Sequence, residues 1–172
     1  MRPLEFFVPS NRLSPKGERT HVDGWNEYIK AVNTSRYVGS ARERENVTLV
    51  ADYASLAMRQ AAWRPPETHC LVYVTFVERD RRRDLPNVYG GLKWVLDGLS
   101  RPRGSKSVGA GAIVDDSQKW LTVIPMVAID RQNPGVHIKI VPVDNPAEIE
   151  TVQVMGTNVP IPANTSKGFI KL

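Results

Sequence analysis

Three aspartates and one lysine are the side chains of this sequence best suited to chemistry. Asp84 ends the run Arg81-Arg82-Arg83, and Asp115 and Asp116 stand side by side farther along the chain. Carboxylate oxygens are the hard ligands that Mg²⁺ prefers, and that ion keeps several waters, so two or three carboxylates suffice to hold it against a phosphate. A metal placed there polarises a phosphoryl group, activates a water and stabilises the leaving oxygen. The arginines suit the same substrate, because each guanidinium offers paired donors to anionic oxygens and neutralises a nucleic-acid backbone. Each piece also has a plainer use. Adjacent aspartates mark turns, an aspartate ahead of a helix caps it, and Lys93 with Asp97 is the spacing of a surface ion pair.

These groups need elements to position them. Cys70–Val77 (Cys-Leu-Val-Tyr-Val-Thr-Phe-Val) is the clearest strand, β-branched and aromatic throughout. The arginine run and Asp84 follow it directly. Asn87–Leu99 reads as one helix, with Val88, Leu92, Val95, Leu96 and Leu99 on a single stripe. Ser100–Ala112, rich in Gly, Ser and Arg, is expected as a loop leading to Asp115-Asp116. Returning helices are expected to bring Asp84 and Asp115-Asp116 to one edge of a sheet.

Elsewhere, Leu4–Val8 is a strand candidate, and Asn11–Asp23 an irregular arm or small hairpin. Asp23 is expected to cap a helix carrying Trp25, Tyr28, Ile29 and Val32, and a second helix is expected from Val47 to Trp63, stopped by Pro65-Pro66. Leu121–Asp130 and His137–Val143 are further strands, and Pro125 places the first at an edge or a bulge. The fold class is therefore α+β, a single domain with one mixed β-sheet packed by helices. Residues 1–144 form that domain. Residues 145–172 are a looser extension with a short strand at Glu150–Met155.

Composition narrows the field. The chain has 172 residues, 41% of them hydrophobic and 24% charged, which suits a folded domain with a real core. No apolar run is long enough to span a bilayer and the start lacks a signal-peptide core, so no membrane role and a cytoplasmic setting are expected. The single cysteine, Cys70, excludes an internal disulfide and, with three scattered histidines, argues against structural zinc. The net charge is +5, and most of it falls between Glu78 and Lys106, where eight basic residues face four acidic ones.

The order of these motifs is distinctive. Arg-Arg-Arg83-Asp84-Leu-Pro-Asn87, then Lys93-Trp-Val-Leu-Asp97-Gly-Leu99, then Gly-Ala-Ile-Val-Asp115-Asp116-Ser-Gln118 resembles the RusA family of Holliday junction resolvases, as do Val8-Pro-Ser-Asn11-Arg12 and Arg19-Thr20-His21-Val22 upstream. The resemblance runs from about Leu4 to Val143. It implies a homodimeric, Mg²⁺-dependent endonuclease, with Mn²⁺ as a substitute ion, that binds four-way DNA junctions and makes paired symmetric nicks; a phage origin fits the family. By position, Asp84, Lys93 and Asp116 match the catalytic residues, with Asp115 as a further metal ligand. Arg81, Arg82 and Arg83 match the DNA-contacting arginines, and Arg101, Arg103 and Lys106 in the long loop are expected to grip an arm of the junction.

Three features depart from the family. Pro86 stands where a second aspartate is usual and removes one ligand, for which Asn87, Asp80 and Asp97 are candidate replacements. Asn87 and Lys93 are three residues farther apart than in the compact pattern, close to one helical turn. The Ser100–Ala112 loop is longer. The alternative is a non-catalytic branched-DNA-binding protein with the same fold, inactivated by Pro86.

Overall fold

The structure is a computed structural model that describes residues 2–104, 107–143, 149–154 and 157–162. It is the expected α+β arrangement: one mixed four-stranded sheet with helices against it. The elements are β1 (Leu4–Pro9), α1 (Trp25–Thr34), α2 (Arg36–Ala61), β2 (Cys70–Glu78), α3 (Leu85–Tyr89), α4 (Leu92–Leu99), β3 (Leu121–Ile129) and β4 (Gly135–Pro142). A separate hairpin, β5 (Ile149–Val154) and β6 (Thr157–Pro162), follows.

The sheet order is β1-β4-β2-β3. Only β2 and β3 run parallel, from Cys70 opposite Leu121 to Glu78 opposite Ile129, and their connection contains α3 and α4. That connection is long because parallel neighbours need a crossover. One face of the sheet alternates into the core through Val72, Val74 and Phe76 of β2 and Val136, Ile138 and Ile140 of β4, packed against Val50, Ala54, Val95 and Leu99 from the helices. Gly98 lets α4 touch α2: a Cβ there would stand 2.7 Å from the Val50 side chain. Pro125 sits in β3, at the edge of the sheet as expected. The Cys70 N–H donates to the Trp120 carbonyl and the Asp130 N–H to the Glu78 carbonyl. Even-numbered residues of β3 therefore face β2, and the missing N–H of Pro125 lies on the free side, where it interrupts no bond to β2.

Several boundaries differ from expectation. Gly24, not Asp23, is the N-cap of α1. Asp23 is buried instead, its carboxylate taken by Arg12, Arg42 and Asn46. The second helix begins at Arg36, eleven residues before Val47, because the Ser35 hydroxyl accepts from the Val38 N–H and starts it there. The charged Arg42-Glu43-Arg44-Glu45 run hid that stretch from an apolar-periodicity reading. The expected Asn87–Leu99 helix is two helices joined through Gly90-Gly91. A Leu13–Arg19 bridge makes the predicted arm a small hairpin. Among the described residues, no helix is long and apolar enough to cross a membrane. The boundary drawn at 144/145, Lys106 and the Met155 end of the last predicted strand lie outside the described residues.

Candidate functional site

The conformation after β2 follows from its residues. Asp84 is the N-cap of α3, in extended conformation, and Pro86 occupies the first turn, where a missing N–H costs nothing. The Asp84 side chain makes no capping bond and is exposed. The Phe76 and Tyr89 rings, 6.3 Å apart, hold α3 at the C-terminal end of β2. At the end of α4, the Leu99 carbonyl accepts from Ala112 and Ile113, and Trp63 Nε1 donates to the Ala112 carbonyl. Asp115 and Asp116 therefore lie at the N-terminal end of the β2–β3 pair. The expected convergence of Asp84 with Asp115-Asp116 does not occur within one chain. A parallel crossover places the end of the first strand and the start of the next at opposite edges, on the order of 25 Å apart for nine residues.

What the sequence groups as one constellation is thus divided between two clefts. The first, about 460 Å³, is lined by Glu43 and Arg44 of α2, Asp97 of α4, Arg101 and Arg103 of the loop, and Asp116. Lys93 belongs to this region, with its ammonium Nζ 2.7 Å from both Glu43 Oε1 and Asp97 Oδ2, so the expected i,i+4 pair forms and gains a third member from α2. Partial burial works against the Lys93 charge, but the bonds to Asp97 and Glu43 outweigh it and raise the pKa. Lys93 is a fixed cation, unsuited to act as a base at neutral pH. Arg103 pairs with Asp115 and stands 3.9 Å from Asp116. Slight desolvation opposes the Asp115 charge, yet bonds from Ser117 and the Asp116 backbone, together with Arg103, lower its pKa.

The second cleft, about 520 Å³, lies at the Asp84 edge and is lined by His21, Glu78, Arg79, Arg82, Arg83 and Arg131 among others. Arg81 and Arg82 are exposed. Arg83 is not the surface contact expected of it. Its side chain is only 12% exposed, with Nη1 2.9 Å from the buried Glu78 and Nη2 3.1 Å from Glu27, and it also donates to the Val22 carbonyl. Glu27 is held at a pKa of about 2, by the bond from His21 first, against the cost of burial, and then by the Gly24 N–H and Arg83.

Asn87 is likewise not a spare metal ligand. It is buried, and its Oδ1 accepts from the Asn26 N–H at 2.8 Å, closing the first turn of α1. Gly24 must be glycine for this contact, since a Cβ would meet the Asn87 carbonyl at 2.1 Å. Asp80 accepts from the Arg82 N–H at the second cleft. Of the three candidates to replace the aspartate missing at Pro86, only Asp97 shares a cleft with Asp116.

Among the described residues, no group of three His, Cys, Asp or Glu stands close enough to hold a metal ion. The donor chemistry in the first cleft suits Mg²⁺, which is commonly bound through one or two carboxylates plus substrate phosphates. Asp116, with Asp115 beside it, would hold it there; Asp84 of the same chain cannot join them. Sequence reasoning missed Glu43, Arg44, Arg131 and His21 as cleft residues, each of which reaches its cleft only through tertiary packing. No family model and no curated protein matches this chain.

Proposed function

We propose that this protein is a structure-selective endonuclease acting on four-way DNA junctions, dependent on Mg²⁺ or Mn²⁺, and resembling the RusA resolvases. The observation that carries the reading is the first cleft, whose lining combines the carboxylates of Asp116, Asp97 and Glu43 with the guanidinium groups of Arg44, Arg101 and Arg103. Carboxylates that attract a divalent ion, beside arginines that attract phosphate, are what phosphodiester hydrolysis requires. The ion supplies charge neutralisation and an activated water when bound. The protein supplies the rest. Arg44, Arg101 and Arg103 draw in the DNA backbone, and Lys93 stays protonated between Glu43 and Asp97 as a permanent positive charge close to the phosphate. Arg81, Arg82, Arg79 and Arg131 offer a second phosphate-binding surface at the opposite edge.

A second reading, a branched-DNA-binding protein that does not cut, is favoured by a specific observation. Pro86 supplies no ligand, and Asp84 lies at the sheet edge away from Asp116. One experiment separates the two. An end-labelled synthetic four-way junction is incubated with the protein in Mg²⁺, in Mn²⁺ and in chelator. Paired nicks that appear only with metal are the expected result; a shifted, uncut junction under every condition supports the binding protein.

A further inference from the structure

The helical residues of the core, from α2, α3 and α4, all meet the face of the sheet that carries Val72, Val74 and Phe76. Strand register puts Phe7, Tyr73, Val77, Ile124, Met126 and Val141 on the opposite face. None of the six belongs to the core; five are half-buried and Met126 is 40% exposed. A sheet face left to water carries polar side chains, whereas this one presents a second apolar surface. We propose that it is the docking site of the chain's own C-terminal hairpin, β5–β6, which lies across it as a second layer. The inference is independent of the nuclease reading and goes beyond it by giving the C-terminal extension a role.

The hairpin has the matching pattern. β5 and β6 form a sheet of their own, and a lone two-stranded hairpin is marginal in water unless one of its faces packs on something. The register places Val152, Val154, Val159 and Ile161 on one face, with Val152 opposite Val159, and the polar Thr151, Gln153 and Asn158 on the other. One hairpin face needs cover, and one sheet face lacks it. The charges also agree. Glu150 shares the apolar hairpin face by register. On the open face of the sheet, Lys139 and His137 share a single carboxylate, Glu5, at 3.2 and 3.0 Å, which leaves basic groups there for a second acid.

Chain geometry favours this face over the other apolar surface. The Val143 N–H donates to the His69 carbonyl, so the chain leaves an inner strand of the sheet beside the start of β2. Val143 and Ile149 are six positions apart, and the chain between them spans at most about 20 Å. Packed sheet layers lie about 10 Å apart and a six-residue strand is about 20 Å long, so the hairpin fits over the longer β2 and β3. Trp25, Ile29 and Val32 form the other exposed apolar stripe, on α1. α1 starts against Asn87, past the far end of β2 and on the helical side of the sheet. To cover that stripe the hairpin would have to cross the helical layer and most of the length of β2; the open face lies directly at its exit.

Hydrogen exchange of the full chain, read by mass spectrometry, tests the docking. Peptides from 149–162 are expected to exchange at least tenfold more slowly than an unstructured chain. Ile124→Lys places a charge in the middle of the proposed contact. It should bring those peptides to the unstructured rate, while peptides of β2 and β4 exchange as in the wild type and sedimentation is unchanged. A wild-type hairpin that exchanges freely, or one as protected in Ile124→Lys as before, would overturn the inference. So would an Ile124→Lys protein that passes from dimer to monomer with its hairpin still protected, since a second copy then covers the face. Val159→Lys, in the hairpin itself, keeps the test decisive if Ile124→Lys fails to fold. It leaves the body intact and should raise binding of the dye anilinonaphthalene sulfonate at least threefold by uncovering the sheet face; unchanged dye binding would contradict the docking. None of these readouts involves cutting, so the docking and the nuclease reading are tested separately.

Discussion

Glu27, Arg83 and Glu78 form a chain of charge between α1, the loop after β2 and the end of β2 itself, and they show how residues in an arginine-rich segment divide their labour. Arg82 is 90% exposed, with only a loose 3.6 Å approach to the exposed Asp80 carboxylate, whereas Arg83 is enclosed by two carboxylates. Arg82→Ala is therefore expected to weaken junction binding and to reduce the salt dependence of log K by about one phosphate contact, with no change in melting temperature. Arg83→Ala should do the reverse. It leaves Glu78, 5% exposed, without its partner, and should cost about 3–5 kcal/mol in denaturant unfolding. Glu27 makes the same network pH-dependent. Its folded pKa lies near 2, below the ordinary 4.5, so its contribution to stability is present above 4.5 and is lost as pH falls through about 2. Glu27→Gln should therefore be less stable at neutral pH and lose less on acidification, measured as the slope of melting temperature between those limits. The sequence revealed that arginines cluster here. It did not reveal which are committed inward, because the acids that claim Arg83 lie five residues behind it and on another helix.

At the scale of elements, the segment after β2 fixes what each motif residue does. α3 is short and capped by Asp84, and Asn87 turns inward to close α1, so a residue that resembles a ligand serves as a cross-element cap. Asn87→Ala should destabilise the protein by about 1–3 kcal/mol through the unsatisfied Asn26 N–H, while leaving the metal concentration for half-maximal cutting unchanged. β2 was the element most legible in the sequence: its apolar, β-branched run sets its existence, length and central place. The start of α2 was not, because Arg36–Asn46 is polar and Ser35 alone signals where the helix begins. The Gly90-Gly91 break divided a stripe that read as continuous, since five apolar residues at helical spacing do not reveal a bend between them. Pro125 was informative because a proline inside a strand leaves few places in a sheet for that strand.

The whole molecule corrects the largest expectation. Motif order along the chain supplies candidate acids and bases, but topology decides which of them meet. A strand, a crossover and a parallel strand necessarily send the loop that leaves the first and the loop that enters the second to opposite edges. Asp84 and Asp116 obey that rule. Within one chain, Asp116 shares its cleft with Asp97 and Glu43, and Glu43 comes from the charged first half of α2, which no apolar periodicity marks. The +5 net charge is likewise not one patch: its arginines serve two clefts, one carrying acids and one mainly basic. Such a division suits a substrate with several separated backbones more than a single straight duplex.

The most direct test of the account is the single-turnover nicking rate of a labelled four-way junction in Mg²⁺, compared between wild type and Asp116→Asn at protein concentrations that saturate binding. The account predicts metal-dependent nicking by the wild type and a loss of at least a hundredfold in the variant, with junction affinity equal or tighter because a negative charge near phosphate is gone. Equal nicking rates for the two proteins would contradict it.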